Sequence, residues 1–278
     1  MAARKPTSPF RLFSEAESRL KGYKYKIMVL SGKGGVGKTF VSSMLALALA
    51  ELGYRVGLLD ADLHGSSVPS MYGLRDARHH ADEDGIIPIE GPLGVKVVSV
   101  NFMLESPELP LIWRGPIKSR AIAELLSKVK WGEGDFFIVD MPPGTGDEAI
   151  TVVQTLKELT GAVVVTAPNV LSETVVAKAL HFVNRTGVRL LGIVENMSYF
   201  RCPDTGKEYQ LLGKSTGEEL ARKFGTKLLA RIPLDPYIGE AIDKGVPYLL
   251  YVPEGDAAKS IRDLATRLVH ELGMAGNQ

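Results

Sequence analysis

The chain has 278 residues, 33 basic and 32 acidic side chains, a net charge of +1 and 45% apolar composition. A chain of that length buries a sizeable core without staples, and its balanced charge gives no footprint for nucleic acid or an anionic membrane. The single cysteine, Cys202, excludes an intramolecular disulfide, and no apolar run reaches the roughly 20 residues a spanning helix needs, so a cytoplasmic protein with no membrane and no nucleic-acid partner is expected. In chain order, residues 1–23 are polar and basic, with Arg4, Lys5, Arg11, Arg19 and Lys21 against Glu15 and Glu17. They read as an N-terminal tail, either mobile or forming a short docking helix, ahead of one domain over 24–278. Short β-branched runs then alternate with amphipathic stretches. Strands are expected at Ile27–Leu30, Val56–Leu59, Val95–Val100, Phe136–Asp140, Ala162–Thr166, Leu190–Val194 and Leu228–Ile232. Helices are expected near Gly37–Leu52, Ile117–Lys128, Glu148–Leu159, Glu173–Arg185, Gly217–Phe224 and Asp256–Leu272. The pattern is that of an α/β fold with a mostly parallel sheet flanked by helices on both faces, whose ligands bind at the carboxyl ends of the strands.

The segment KIMVLSGKGGVGKTFVSSMLALALAEL reads as strand, glycine-rich turn and helix, the context in which G-x-x-x-x-G-K-[ST] becomes a phosphate loop. Gly32, Gly34, Gly35 and Gly37 let the backbone curl with its N–H groups inward, aided by the positive end of the following helix. The nucleotide-binding set is therefore Gly32, Lys33, Gly34, Gly35, Val36, Gly37, Lys38, Thr39 and Phe40, for ATP or ADP. Lys38 is expected on the β and γ phosphates and Thr39 on Mg²⁺, which makes 24–278 a single-domain P-loop NTPase, and more narrowly an ATPase. Three aspartates end strands beside this loop. Asp60 and Asp62 follow RVGLL, and Asp140 follows FFIV at the Walker B position, where it is expected to hold Mg²⁺ through water. The next loop, MPPGTGD, offers Gly144 and Gly146 as hinges and Asp147 as a polar end, suiting a segment that senses γ-phosphate. Asp60 and Asp147 also admit a plain capping role. His64 reads as a surface loop histidine.

Two lysines in one loop, Lys33 and Lys38, resemble the deviant Walker A of the class that includes MinD, ParA and the nitrogenase iron protein. The resemblance implies that Lys33 reaches across a homodimer to the partner's nucleotide and that Asp62, near the metal, orients or deprotonates the attacking water. GYRVGLLDADLHGSSVPSMYGL, LIWRGPIKSRAI, FFIVDMPPGTGDEAI, GIVENMSYFRCP and IPLDPYIGEAIDKGVP resemble, in order and spacing, the Mrp/ApbC family of iron–sulfur cluster carrier ATPases. That family implies adenine recognition at Asn196 and at the loop holding Pro233 and Asp235, a switch or dimer role for Arg114, and delivery to apo iron–sulfur client proteins. One departure stands out. Where the family carries Cys-Pro-x-Cys, this chain has Cys202-Pro203-Asp204-Thr205, so a symmetric dimer offers two thiolates where a four-iron cluster takes four. Cys202 thus stands between an iron–sulfur ligand and a simple loop cysteine. The functions implied are an ATP-dependent iron–sulfur carrier, a nucleotide-gated adaptor that has lost the cluster, or a MinD-like positioning ATPase whose terminal helix (Ile261, Leu264, Ala265, Leu268, Val269, Leu272) would meet lipid rather than core.

Overall fold

The computed structural model describes residues 9–63, 67–103, 115–168 and 170–273. Helix α1 (Pro9–Leu20) leads into strand β1 (Tyr23–Ser31), the phosphate loop and α2 (Lys38–Glu51), then β2 (Val56–Asp60) and a single turn α3 (Val68–Met71). A hairpin β3 (His80–Asp82) and β4 (Gly85–Ile87), strands β5 (Ile89–Glu90) and β6 (Lys96–Ser99), α4 (Gly115–Lys128), β7 (Gly134–Asp140), α5 (Asp147–Thr155), β8 (Gly161–Thr166) and α6 (Val170–Thr186) follow. The chain ends with β9 (Leu190–Glu195), hairpin β10 (Phe200–Arg201) and β11 (Glu208–Tyr209), α7 (Gly217–Lys223), β12 (Leu228–Arg231), α8 (Tyr237–Lys244), α9 (Tyr248–Tyr251) and α10 (Asp256–Glu271).

The main sheet runs β12-β9-β8-β1-β7-β2-β6-β5, all parallel except for β5, which pairs antiparallel with β6. All seven strands and six helices expected from the sequence form. The sheet is parallel because its strands are apolar on both faces and each crossover carries a helix. Along β1, Ile27 and Val29 join one core cluster with α2 and α10, while Met28 and Leu30 join the other with α1, α4, α5 and α6, as the two-residue alternation of a strand requires. Helix α2 is apolar almost all round and buried from Phe40 to Leu49, which suits the central helix of the layer. The elements the sequence did not predict are β3, β4, β5, β10, β11, α3 and α9, too brief to show a period, and the longer α8 (Tyr237–Lys244).

Two edges of the fold settle open choices. Of the two forms expected for residues 1–23, residues 9–20 take the docking helix. Leu12, Ala16 and Leu20 recur every four residues and are buried against α4 and α5. In α10, Ile261, Leu264, Ala265 and Leu268 are fully buried and pack on α2 and β12, with Val269 and Leu272 half-buried beside them. That apolar face belongs to the core. Among the described residues no helix is long and apolar enough to cross a membrane.

Because Leu20 is fully buried where α1 packs on α4 and α5, Leu20→Ala should lower the unfolding free energy by about 2–5 kcal/mol in urea denaturation. A detached tail would give a change under about 0.5 kcal/mol.

Candidate functional site

The phosphate loop bridges β1 and α2 at the carboxyl edge of the sheet, next to the crossing between β8 and β7 where strand order reverses. Two of its glycines are dictated by neighbours. A Cβ on Gly32 would lie 2.3 Å from the Val175 carbonyl oxygen of α6, and one on Gly37, at φ 74°, would lie 2.2 Å from Asn196 Nδ2. Gly34 and Gly35 instead face open space at the loop's exposed tip, with the partly exposed Lys33 beside them. Ser31 Oγ donates to the Lys33 carbonyl at 2.9 Å and ties the base of the loop.

Below the loop sits Asp140, fully buried at the end of β7. Lys38 Nζ reaches its Oδ1 at 2.7 Å, Ser42 Oγ donates to the same oxygen at 2.7 Å, and Thr39 Oγ1 donates to Oδ2 at 2.8 Å. Lys38 is itself buried, so this is an ion pair out of water whose attraction is screened weakly. Register places Asp60 of β2 opposite Asp140. Asp60 Oδ1 accepts the Asp62 N–H at 3.2 Å, and the Ala61 N–H donates to the Asp140 carbonyl at 2.9 Å, which leaves Asp62 half-buried at the mouth of the site. After Asp140 the chain folds back along β1: the Met141 N–H donates to the Val29 carbonyl and the Gly144 N–H to the Ser31 carbonyl, both at 3.0 Å. Gly144 takes φ 91° there. Asp147 is exposed in the first turn of α5, where a carboxylate suits the positive end of the helix.

Asn196 closes the other side. It follows β9, its Nδ2 donates to the Val36 carbonyl at 3.0 Å, and its Oδ1 is buried with no hydrogen-bond partner among the described residues. Pro233 and Asp235 lie on the loop after β12. Asp235 accepts the Tyr237 N–H and the Tyr248 hydroxyl, and the Tyr248 ring meets Phe40 edge-on with centroids 5.7 Å apart. Burial and the adjacent Asp235 carboxylate push the Tyr248 phenol above its ordinary range, so it stays a donor. Phe40 therefore spends its ring on the core, 5% exposed, and has only its backbone to offer a ligand. His64 and Arg114 lie outside the described residues.

A family model described as ParA, NUBPL iron-transfer P-loop NTPase, matches residues 22–269. The chain belongs to that family. It is 46% identical over 255 residues to the iron-sulfur cluster carrier protein of Saccharolobus solfataricus, covering 92% of this chain and 86% of that one. Among solved structures it resembles a nucleotide-binding protein of Archaeoglobus fulgidus in complex with ADP, with TM-score 0.77, 38% identity, and 88% and 95% of the two chains covered. The septum site-determining protein MinD of Pyrococcus horikoshii, complexed with Mg-ADP, gives 0.67 at 25% identity over 92% and 100%. The resemblance to iron–sulfur carriers read from the sequence, and the P-loop NTPase fold with it, thus hold.

The site of this family member suits a magnesium nucleotide on its own chemistry. The oxygens of Thr39, Asp140 and Asp62 are the hard donors Mg²⁺ takes, Gly34 and Gly35 leave open space at the loop's tip, and the orphaned Asn196 Oδ1 is an acceptor for an amino group on a purine edge. Metal for a cluster is a different matter. Among the described residues no group of three or more His, Cys, Asp or Glu could hold a metal ion. Cys202 sits at the mouth of the β10–β11 hairpin, where its N–H donates to the Lys207 carbonyl and its own carbonyl accepts from Gly206. It opens on a groove of about 470 Å³ shared with Pro203, Pro233, Asp235 and Tyr237.

Sequence reading missed Ser42, Glu195 and Tyr248. The first was within reach, since Ser42 lies three residues after Thr39 and so on the same helix face. Glu195 and Tyr248 gave little local signal: apart from Ser198, three residues on, Glu195 meets Ser215 and Arg231, 20 and 36 positions away, and Tyr248 meets Asp235, 13 positions before it. For Cys202 the Thr205 hydroxyl, then the N–H groups of Thr205 and Asp204, hold the thiol below its ordinary range. Alkylation of this lone thiol by iodoacetamide should accordingly show its pH midpoint below about 8.5. Thr205→Val should move the midpoint upward, since the thiolate loses its first donor.

Proposed function

We propose that this protein binds and hydrolyses ATP with Mg²⁺ as a nucleotide-switched homodimer and carries iron–sulfur clusters to apo client proteins. The observation that carries the nucleotide half is the convergence of Lys38, Thr39 and Ser42 on the buried Asp140 directly beneath the glycine cradle. Lys38 is held at the base of the loop by a partner it can exchange. A phosphate competes for the ammonium as a second anion, and the N–H groups of the loop and the start of α2 add the field of the helix end. Thr39 and Asp140 hold the metal, which when bound neutralises charge developing on the β and γ oxygens. Asp62, at the mouth, orients or deprotonates the attacking water. Lys33 reaches the partner's nucleotide, and the Gly144 loop, pinned to Ser31 by one hydrogen bond, is the segment whose geometry follows the γ-phosphate. Asn196 and the Pro233–Asp235 loop take the adenine end.

The variants separate the parts. Lys38→Ala should abolish nucleotide binding in equilibrium dialysis, whereas Lys33→Ala should keep binding and lose turnover on the order of 10³-fold, as arginine-finger losses do. Unchanged turnover in Lys33→Ala would remove the cross-dimer role.

The cargo half rests on the family and on Cys202. Two thiolates from a dimer fill half of the four positions of a four-iron cluster, so a client or a small thiol supplies the rest. The Thr205 in place of a second cysteine favours a second reading, a nucleotide-gated adaptor that keeps the switch and has lost the cluster. Anaerobic reconstitution decides between them. The carrier should retain iron and sulfide and a visible charge-transfer band, both lost in Cys202→Ser. Wild-type protein that hydrolyses ATP yet holds no iron would establish the adaptor.

A further inference from the structure

Ser42 is fully buried one turn into α2 and makes the contact that no nucleotide chemistry claims. Its Oγ lies 2.7 Å from Asp140 Oδ1 and 3.1 Å from the Thr39 carbonyl. A hydroxyl carries one proton, and the shorter, charge-assisted contact takes it. Asp140 therefore has three side-chain donors: Lys38 and Ser42 on Oδ1, Thr39 on Oδ2. A bound magnesium nucleotide draws two of them away, the ammonium to phosphate and the Thr39 hydroxyl to the metal. The third is claimed by neither phosphate nor metal, and its other acceptor, the Thr39 carbonyl, is the more distant one at 3.1 Å.

We propose that Ser42 is a positioning residue for the metal: its hydroxyl keeps Oδ1 of Asp140 fixed while Lys38 and Thr39 turn to the ligand, so that Oδ2 presents one defined lone-pair direction to the hydrated ion. This rests on the reading that the loop binds a magnesium nucleotide. The need for such a tether is physical. Rotation about the terminal torsion of an aspartate is soft and roughly two-fold, so a carboxylate stripped of two donors swings freely. Mg²⁺ tolerates little swing, because it holds its waters in near-ideal octahedral geometry. A buried carboxylate oxygen that loses its last donor also bears an uncompensated desolvation cost. Ser42 supplies both the direction and the compensation from a position that phosphate cannot reach, beneath the first turn of the helix.

The test uses the full chain and a fluorescent ADP analogue, titrated in EDTA and against rising Mg²⁺, for wild type, Ser42→Ala and Ser42→Cys. Alanine is the best helix former, and cysteine keeps the volume with a weak donor, so both variants should fold, which a thermal melt without nucleotide checks. Affinity in EDTA should be within about twofold of wild type in all three proteins, since the phosphate contacts are untouched. The Mg²⁺ concentration at the midpoint of the metal-dependent gain should rise about tenfold or more in Ser42→Ala, the scale of a hydrogen bond to a charged group. Ser42→Cys should fall between. One magnesium midpoint for all three proteins would overturn the positioning role while leaving the nucleotide reading intact, and so would an equal loss of affinity in EDTA and in Mg²⁺, which marks a purely structural serine. Wild-type protein whose ADP affinity ignores Mg²⁺ would overturn the positioning role, and wild-type protein that binds no ADP in EDTA or in Mg²⁺ would overturn both.

Discussion

The carboxylate of Asp140 carries charge in the buried interior, and the arrangement around it follows from that. An ionised group moved into a protein interior costs several kcal/mol unless an opposite charge and donors meet it there. The three side chains that meet it, Lys38, Thr39 and Ser42, all come from the N-terminal end of α2. The start of α2 must therefore lie beside the end of β7, and β7 is the neighbour of β1, with Val29 opposite Asp140. Six residues must cover the gap between Ser31 and Lys38. They do so by turning left-handed at Gly35 and Gly37, with φ of 78° and 74°, conformations a side chain disfavours. The glycine-rich loop is thus required twice, by the phosphate it is shaped to hold and by the ion pair it must close beneath.

What the sequence disclosed follows the same division. Strands such as Phe136–Asp140 and Ala162–Thr166 were legible because a parallel strand buried on both faces is an unbroken apolar run. The register that sets Asp60 opposite Asp140 was not legible, since pairing joins residues 80 positions apart. β1 begins at Tyr23, four residues before its expected start. The polar Lys24 and Lys26 break the apolar run, yet Tyr23 lies edge-on to Phe137 at 5.4 Å and Gly57 and Gly134 leave space for its ring. Helix α5 stops at Thr155 rather than running to Leu159, because Leu156 leaves the helical region at ψ 73°. In the site, the motif residues were legible from spacing alone. The core role of the Phe40 ring was not, because its partner Tyr248 belongs to the other end of the chain.

The cysteine hairpin is joined to the Pro233–Asp235 loop by a chain of contacts. The Leu234 N–H donates to the Tyr199 carbonyl at 2.7 Å, which ties the Pro233–Asp235 loop to the stretch just before Cys202. The guanidinium groups of Arg231 and Arg201 lie over the Tyr199 ring, 5.4 and 5.8 Å from its centroid. Arg201 also pairs with Glu208 across the hairpin and with Asp256 at the start of α10, both at 2.8 Å. Exposed ion pairs of this kind add little stability singly. Their geometry matters more, since together they fix where the hairpin stands against the loop that shares its groove.

A second buried carboxylate, Glu195, shows why the first is the responsive one. Both are fully buried at strand ends, and both are satisfied by the start of a nearby helix. Glu195 accepts the N–H groups of Thr216 and Gly217, each at 2.9 Å, and the hydroxyls of Ser198 and Ser215, with Arg231 Nε 3.8 Å away. None of these donors has a competing acceptor in a bound nucleotide. Backbone N–H groups cannot leave, and Arg231 stays stacked on Tyr199. Glu195 thereby locks the turn in which Met197 takes φ 52° and Asn196 faces the phosphate loop. Asp140 is instead held by a lysine and a threonine whose alternative partners, under the proposed function, are a phosphate and a metal ion. A site that must recognise a ligand and then release it needs both kinds of buried charge: one whose donors stay, so the walls keep their shape, and one whose donors can be exchanged.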